Sequence, residues 1–232
     1  MKKNKLRKEF LEGKIILINK PLNWTSFQVV NKIRWLIKTK LEINKIKVGH
    51  AGTLDPLAEG LLIICTGRLT KSINKFQNED KSYDGIITLG STTPSYDLET
   101  LFNGKFNYKH INEKLIFLTK EKFLGKIKQY PPVFSAIKKN GIRLYNYARE
   151  NKKINISART IEIKNFELLK IKLPDIKFSI TCSKGTYIRS IAHDFGKKLK
   201  SGSHLSKLCR TKIGSYSLKD AQNIEDFEKS FK

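Results

Sequence analysis

The chain is poor in the residues on which several kinds of chemistry depend. Of 232 residues only three are cysteine, Cys65, Cys182 and Cys209. They form no CxxC pair and no metal-ligand spacing, which excludes a disulfide framework and a cysteine-based metal centre. Two lie in apolar runs and read as buried free thiols in a reducing compartment. The four histidines, His50, His110, His193 and His204, show no zinc spacing. The H-x-E with P-C-x-x-C of a zinc nucleobase deaminase is absent. Gly67-Arg68-Leu69-Thr70-Lys71-Ser72 lacks the glycine before its lysine that a phosphate loop needs, so nucleotide hydrolysis is unsupported. No stretch approaches the roughly 20 apolar residues of a membrane span. The start, Met1 to Gly13, is basic without a secretory apolar core. A cytoplasmic protein with no membrane partner is expected, although a basic start is also compatible with organelle import.

Acidic residues are scarce too, 21 Asp+Glu against 46 Lys+Arg, for a formal net charge of +25. Such a field attracts polyanions, and nucleic acid is the natural partner. The competing explanation is compositional: Lys, Ile and Asn are abundant throughout, so part of the charge is plain solvated surface. Residues 120–153 hold ten Lys/Arg against Glu121 and Glu150, interleaved with Tyr130, Phe134, Tyr145 and Tyr147. Cations for a backbone and flat side chains for unstacked bases suit RNA; the alternative is that these aromatics are core. Hydrophobic content of 39% with interspersed charge is globular. The length suits one large domain, 1–232, or one domain with an inserted lobe at about 120–153.

Taken in order, Lys14–Asn19 is a short β-branched run bounded by Gly13 and Pro21, which predicts a buried strand. Ser26 is placed to cap a helix through about Thr39, with Phe27, Val30, Ile33 and Ile37 on one face and Arg34 and Lys38 outward. Leu61–Cys65 is too short and too uniformly apolar for an exposed helix and reads as a central strand. Lys81–Gly90 is a further strand, Ser91–Asp97 a loop, and Asn112–Lys122 a helix. Thr160–Leu173 and Ile176–Cys182 alternate well enough to be paired strands, and Thr186–Leu199 fits a helix carrying Ile188, Ile191, Ala192, Phe195 and Leu199. Short strands near His204–Cys209 and Ile213–Leu218 and a small polar helix follow. There is no internal repeat. Strands and helices mix without strict βαβ alternation, so the class is α+β with a large, mostly antiparallel sheet.

The densest stretch is Gly49-His50-Ala51-Gly52-Thr53-Leu54-Asp55-Pro56-Leu57-Ala58-Glu59-Gly60. Proline pushes its predecessor toward extended conformations, so Asp55 sits at a corner. On local chemistry this is an ordinary helix start, with Asp55 as N-cap, Pro56 at the first helical position and Gly60 at the end.

The string from Gly49 through Leu62 resembles the signature of the TruB family of tRNA pseudouridine synthases, G-H-x-G-x-L-D-P-x-A-x-G-x-L, at every specified position. The similarity continues in Lys20-Pro21-Leu22-Asn23-Trp24-Thr25-Ser26, Lys81-x-Tyr83 leading to Leu89-Gly90, Gln129-Tyr130-Pro131-Pro132-Val133-Phe134-Ser135-Ala136, and Cys182-Ser183-Lys184-Gly185-Thr186-Tyr187-Ile188-Arg189. Five motifs in order, from about residue 13 to 218, make coincidence untenable.

The resemblance implies the pseudouridine synthase fold, a mixed sheet flanked by helices with a basic RNA-gripping lobe. It implies isomerisation of the uridine at position 55 in the T-loop of tRNA. That reaction breaks the C1′–N1 bond, turns the uracil and rejoins it through C5. Nothing is oxidised, reduced or hydrolysed, so no cofactor or metal is expected. Asp55 is the implied catalytic carboxylate, competent to attack C1′ or C6 or to assist removal of the 2′-proton. Arg189 is the cation that keeps it ionised. Tyr83 stacks on the flipped uracil and serves as acceptor of the C5 proton. His50 packs against the disrupted loop, and Leu208 lies against the target base. Lys20, Lys184 and Tyr187, within the matching motifs, are further RNA contacts, although the Lys20-Pro21 segment is mainly structural in the family. Many members carry a C-terminal PUA domain, yet only about fourteen residues follow Leu218 here. The expectation is a monomer without that domain or a protein partner, the basic lobe compensating for lost tRNA contacts. A noncatalytic RNA-binding protein that kept the fold is the other reading; intact Asp55, Tyr83 and Arg189 argue against it.

Overall fold

The computed structural model describes residues 2–150, 152 and 154–231; Lys153 of the basic segment lies outside the described residues. The elements in chain order are α1 (Lys2–Glu12), β1 (Ile15–Lys20), α2 (Ser26–Leu41), β2 (Val48–His50), β3 (Ala58–Thr66), α3 (Ile73–Asn78) and β4 (Lys81–Leu89). They continue with β5 (Ser91–Thr92), β6 (Gly104–Lys105), α4 (Glu113–Glu121), β7 (Gly125–Gln129), β8 (Lys138–Lys139), β9 (Ile142–Arg143) and α5 (Leu144–Arg149). The last are β10 (Arg159–Lys172), β11 (Asp175–Cys182), α6 (Ile188–Lys198), β12 (Ser203–Ile213), β13 (Tyr216–Ser217) and α7 (Ile224–Lys229). Among the described residues, no helix is long and apolar enough to cross a membrane. The chain forms two compact units, Met1–Tyr83 with Cys209–Lys232, and Asp84–Leu208.

In the first unit β3 pairs antiparallel with β1, from Ile15 opposite Cys65 to Lys20 opposite Gly60, and with β2. Alternate residues of a strand face opposite ways. Leu62 and Ile64 join a core with Ile16 and Ile18 of β1, the inner face of α2, and Phe10, Ile224 and Phe227. Leu61, Ile63 and Cys65 join a second cluster with Ala51 and Ile213. Burial on both faces explains why this strand reads as an unbroken apolar run.

Helix α2 begins as expected, but its cap is Thr25, not Ser26. The Thr25 hydroxyl accepts from Gln28 N, and the Gln28 side chain accepts from Thr25 N, a full capping box. Two faces are also corrected. Phe27 is 65% exposed, while Val29, Val30, Ile33, Leu36, Ile37 and Leu41 fill the core. Arg34 does not turn outward; its guanidinium donates to Val48 O at 3.1 Å.

In the second unit β10 lies between β7 and β11, antiparallel to both. Phe123, Phe166, Phe178 and Phe195 meet at its centre with ring centroids 5.7 to 6.2 Å apart. Within the basic segment, Asn140 and Gly141, both at positive φ, turn the β8–β9 hairpin. Tyr145 lies under the guanidinium groups of Arg143 and Arg149, at 5.8 and 5.5 Å, while Tyr130 is exposed. The two short strands expected near the C-terminal end are instead one eleven-residue strand, β12, and the two-residue β13, because Lys212 and Ile213 hairpin onto Ser217 and Tyr216.

Candidate active site

The corner around Asp55 is not a helix start. Ala58 N donates to Asp55 O at 3.1 Å, closing a turn over Pro56 and Leu57, and β3 begins at once. The sheet wins because β3 already begins at Ala58 and pairs with β1 from Gly60 onward, leaving too few residues for a helix. Gly60 does not end a helix. It crosses Arg210 so closely, with φ of +104°, that a Cβ would lie 2.4 Å from the Arg210 carbonyl oxygen.

Three side chains distant in sequence brace this corner. Ser26 Oγ accepts from Leu54 N at 2.8 Å and donates to Leu54 O at 3.1 Å. The hydroxyl proposed as a helix cap is thus spent on the residue preceding Asp55. Arg210, buried, donates to Leu61 O at 2.8 Å, Gly52 O at 3.0 Å and Thr53 O at 3.4 Å. Lys20 donates to Trp24 O at 2.6 Å, Pro21 O at 2.9 Å and Pro56 O at 3.5 Å. Lys20 is fully buried. An ammonium capped by carbonyls cannot meet a phosphate, so its assignment as an RNA contact is corrected: it shapes the loop. Burial pulls its pKa down to about 8, against the opposing charges of Asp55 and Glu59, with Arg210 adding to the fall.

Asp55 itself is half-buried. His50 leaves the end of β2, half-buried, and burial depresses its pKa. The Gly52 backbone works the other way and the Arg210 charge reinforces the fall, while Nδ1 has no hydrogen-bond partner among the described residues. A neutral imidazole results at pH 7. The first unit therefore gathers Lys20, His50, Asp55 and Arg210 about one corner. Tyr83 closes this unit in β4, 8% exposed on the buried side of an alternating strand. Two residues earlier, Lys81 Nζ caps the end of α3, donating to Gln77 O at 2.7 Å and Phe76 O at 3.3 Å, which anchors the strand that carries the tyrosine.

In the second unit Arg189 is 3% exposed near the start of α6. It donates to Ser95 O and Phe134 O, both at 3.0 Å, and its Nε is 3.5 Å from Asp97 Oδ2, an ion pair without hydrogen-bond geometry. Gln129 fixes the helix entrance by accepting from Tyr187 N at 2.8 Å and donating to Tyr187 O at 3.0 Å. Ser190 donates to Tyr130 O at 2.9 Å. Two of the sequence motifs are thus one structural element. The Tyr187 ring is half-buried beneath the Arg159 guanidinium at 4.5 Å. Lys184 is exposed in the preceding turn, and Leu208 is half-buried in β12. Asp97 and Arg210 were missed in the sequence. Asp97 sits in a Ser/Thr-rich loop without a distinctive spacing, and Arg210 is one cation among 46 Lys+Arg.

The model of the TruB family pseudouridylate synthase N-terminal domain matches residues 36–188. The tRNA pseudouridine synthase B of Flavobacterium johnsoniae is 56% identical over 96% of this chain and 97% of its own length. That of Phocaeicola vulgatus is 50% identical over 94% and 93%. Among solved structures, a chain of a Cbf5-Nop10-Gar1 complex matches with a TM-score of 0.70 and 26% identity. It covers 97% of this chain, which spans 56% of that longer one. An archaeal box H/ACA Nop10-Cbf5 complex, at 24% identity and a TM-score of 0.69, shares the fold. With relatives this similar over nearly their full lengths, and the carboxylate corner of the family signature intact, the chain belongs to the TruB family of pseudouridylate synthases.

Proposed function

We propose that this enzyme isomerises the uridine at position 55 in the T-loop of tRNA, as a monomer in the cytoplasm and without a cofactor. The observation that carries the reading is the Asp55 corner, a carboxylate on a turn braced by Lys20, Ser26 and Arg210. Bracing by main-chain hydrogen bonds fixes the backbone that carries the carboxylate before substrate arrives, which lowers the cost of reaching a near-attack geometry. The names of the full-length relatives support tRNA as substrate.

The target uridine must leave its stack before a carboxylate reaches it, at a cost of a few kcal/mol. Asp55 then attacks C1′ or C6, or assists loss of the 2′-proton, so that N1–C1′ breaks. The uracil turns and rejoins through C5, any bond to Asp55 breaking in the process. The C5 proton passes to an acceptor, for which Tyr83 is the candidate, and N1 takes up a proton. By the family pattern Arg189 keeps the carboxylate ionised, His50 and Leu208 meet the RNA and the target base, and Lys184 and Tyr187 add contacts. The net charge of +25 favours the polyanion. The basic segment at about 120–153 grips the stem-loop in a single catalytic domain.

The test is tritium release from unmodified tRNA labelled at uracil C5. Release is expected without any addition, lost in Asp55→Asn and lost on tRNA whose uridine 55 is replaced by cytidine. Binding to Asp55→Asn should stay within roughly 1 kcal/mol of wild type, because charge and stacking supply most affinity. Tight binding with no release by the wild-type protein would favour a noncatalytic RNA-binding role.

A further inference from the structure

The outer face of α2 carries side chains that neither the core nor the corner uses. Phe27 is 65% and Trp35 52% exposed, and Lys32 Nζ sits 4.5 Å from the Trp35 ring centroid. Phe27, Asn31, Trp35 and Lys38, all exposed, fall within a sector of about 80° at 100° per residue. The inward face is already complete with six apolar residues, Val29, Val30, Ile33, Leu36, Ile37 and Leu41. An exposed face that served only solubility would be charged and polar. This one presents two flat rings instead.

Charge selects the occupant. Between Glu12 and Glu42 the chain has no acidic residue and six basic ones. The helix also starts beside the corner, since Ser26 Oγ holds Leu54 at both its backbone N and O. Trp35, nine residues on, lies about 14 Å further along the axis. An aromatic ring flanked by an ammonium, in a stretch of chain without acidic residues, suits a nucleobase on the ring with its phosphate at the lysine.

Resting on the reading of this enzyme as one that modifies RNA, we propose that the Phe27–Trp35 face of α2 is a second RNA platform. It stacks unpaired nucleotides of the substrate that lie outside the stem-loop entering the active site.

The experiment compares unmodified full-length tRNA with the isolated T stem-loop, on wild type, Phe27→Ala, Trp35→Ala, Trp35→Phe and Lys32→Ala. A stacked base is worth about 1–3 kcal/mol, so Trp35→Ala should raise the Kd for tRNA roughly 5- to 150-fold. Its kcat at saturating tRNA and its Kd for the stem-loop should not change. Trp35→Phe should keep the affinity and lose part of the fluorescence quenching that tRNA causes in wild type. Lys32→Ala should flatten the salt dependence of tRNA binding by about one phosphate contact. Unchanged tRNA affinity in both Phe27→Ala and Trp35→Ala overturns the platform, as does an equal loss on the isolated stem-loop. Tritium release separates the two readings: if it persists while affinity is unchanged, only the platform fails, and if wild type releases none, the proposed function fails.

Discussion

Two sites of buried cations differ in what neutralises them. In the first unit Lys20 and Arg210 point every hydrogen bond at main-chain carbonyls, and neither makes a salt bridge among the described residues. In the second, Arg189 donates to two carbonyls and also pairs with the buried carboxylate of Asp97. Carbonyl dipoles hold a cation without cancelling its charge, whereas an ion pair cancels it. The corner therefore keeps a positive field about Asp55, and its cost is visible in the Lys20 pKa of about 8. The Arg189 site, by contrast, includes a buried ion pair whose integrity depends on both partners.

Removal should expose the contrast. Arg189→Met strands Asp97, and breaking a buried pair in this way costs about 3–5 kcal/mol, to be read from urea unfolding. Adding Asp97→Asn should restore part of that; costs that simply add would show the pair is not coupled. Arg210→Met strands only dipoles and should cost about 1–3 kcal/mol. Because Arg210 acts through the loop, kcat should fall while KM for tRNA holds, and a rise in KM alone would count against that role.

A third test uses pH. The folded-state pKa of Lys20, about 8, lies below its ordinary 10.5. Between those values the unfolded chain binds a proton that the folded chain has released, so stability rises with pH. The unfolding free energy of wild type minus that of Lys20→Met should be level below pH 8 and climb from there toward 10.5. A flat difference would mean the lysine is not held charged against burial. The smallest effects separate two neighbouring hydroxyls. Thr25→Ala and Ser26→Ala should each cost about 1 kcal/mol, the first by losing the helix cap and the second by losing the bond to Leu54. Only Ser26→Ala should also slow tritium release.

Much of the secondary structure was readable because it is local. The β1 run, the both-sides-buried β3, the helix after Asn112 and the apolar stripe of α6 each follow from period or propensity. Failures cluster where a distant partner competes for the same atoms. Ser26 looked like a cap until its hydroxyl met Leu54, 28 residues away. Asp55-Pro56 looked like a helix start until the sheet claimed the chain from Ala58 onward. Phe27 follows the helical period well enough to seem buried, but only packing could show that the core beneath α2 was already full.

By itself the sequence determined the α+β class, the attraction for polyanions and, through five ordered motifs, the family and its candidate carboxylate. Tertiary structure alone decided what Lys20 and Arg210 do. Arg210 reaches Gly52 across 158 residues and Lys20 reaches Pro56 across 36, and the partners are backbone carbonyls, which every residue possesses. An interaction with a group common to all residues leaves no mark in the sequence of the partner, so only the fold reveals which carbonyls a buried cation holds.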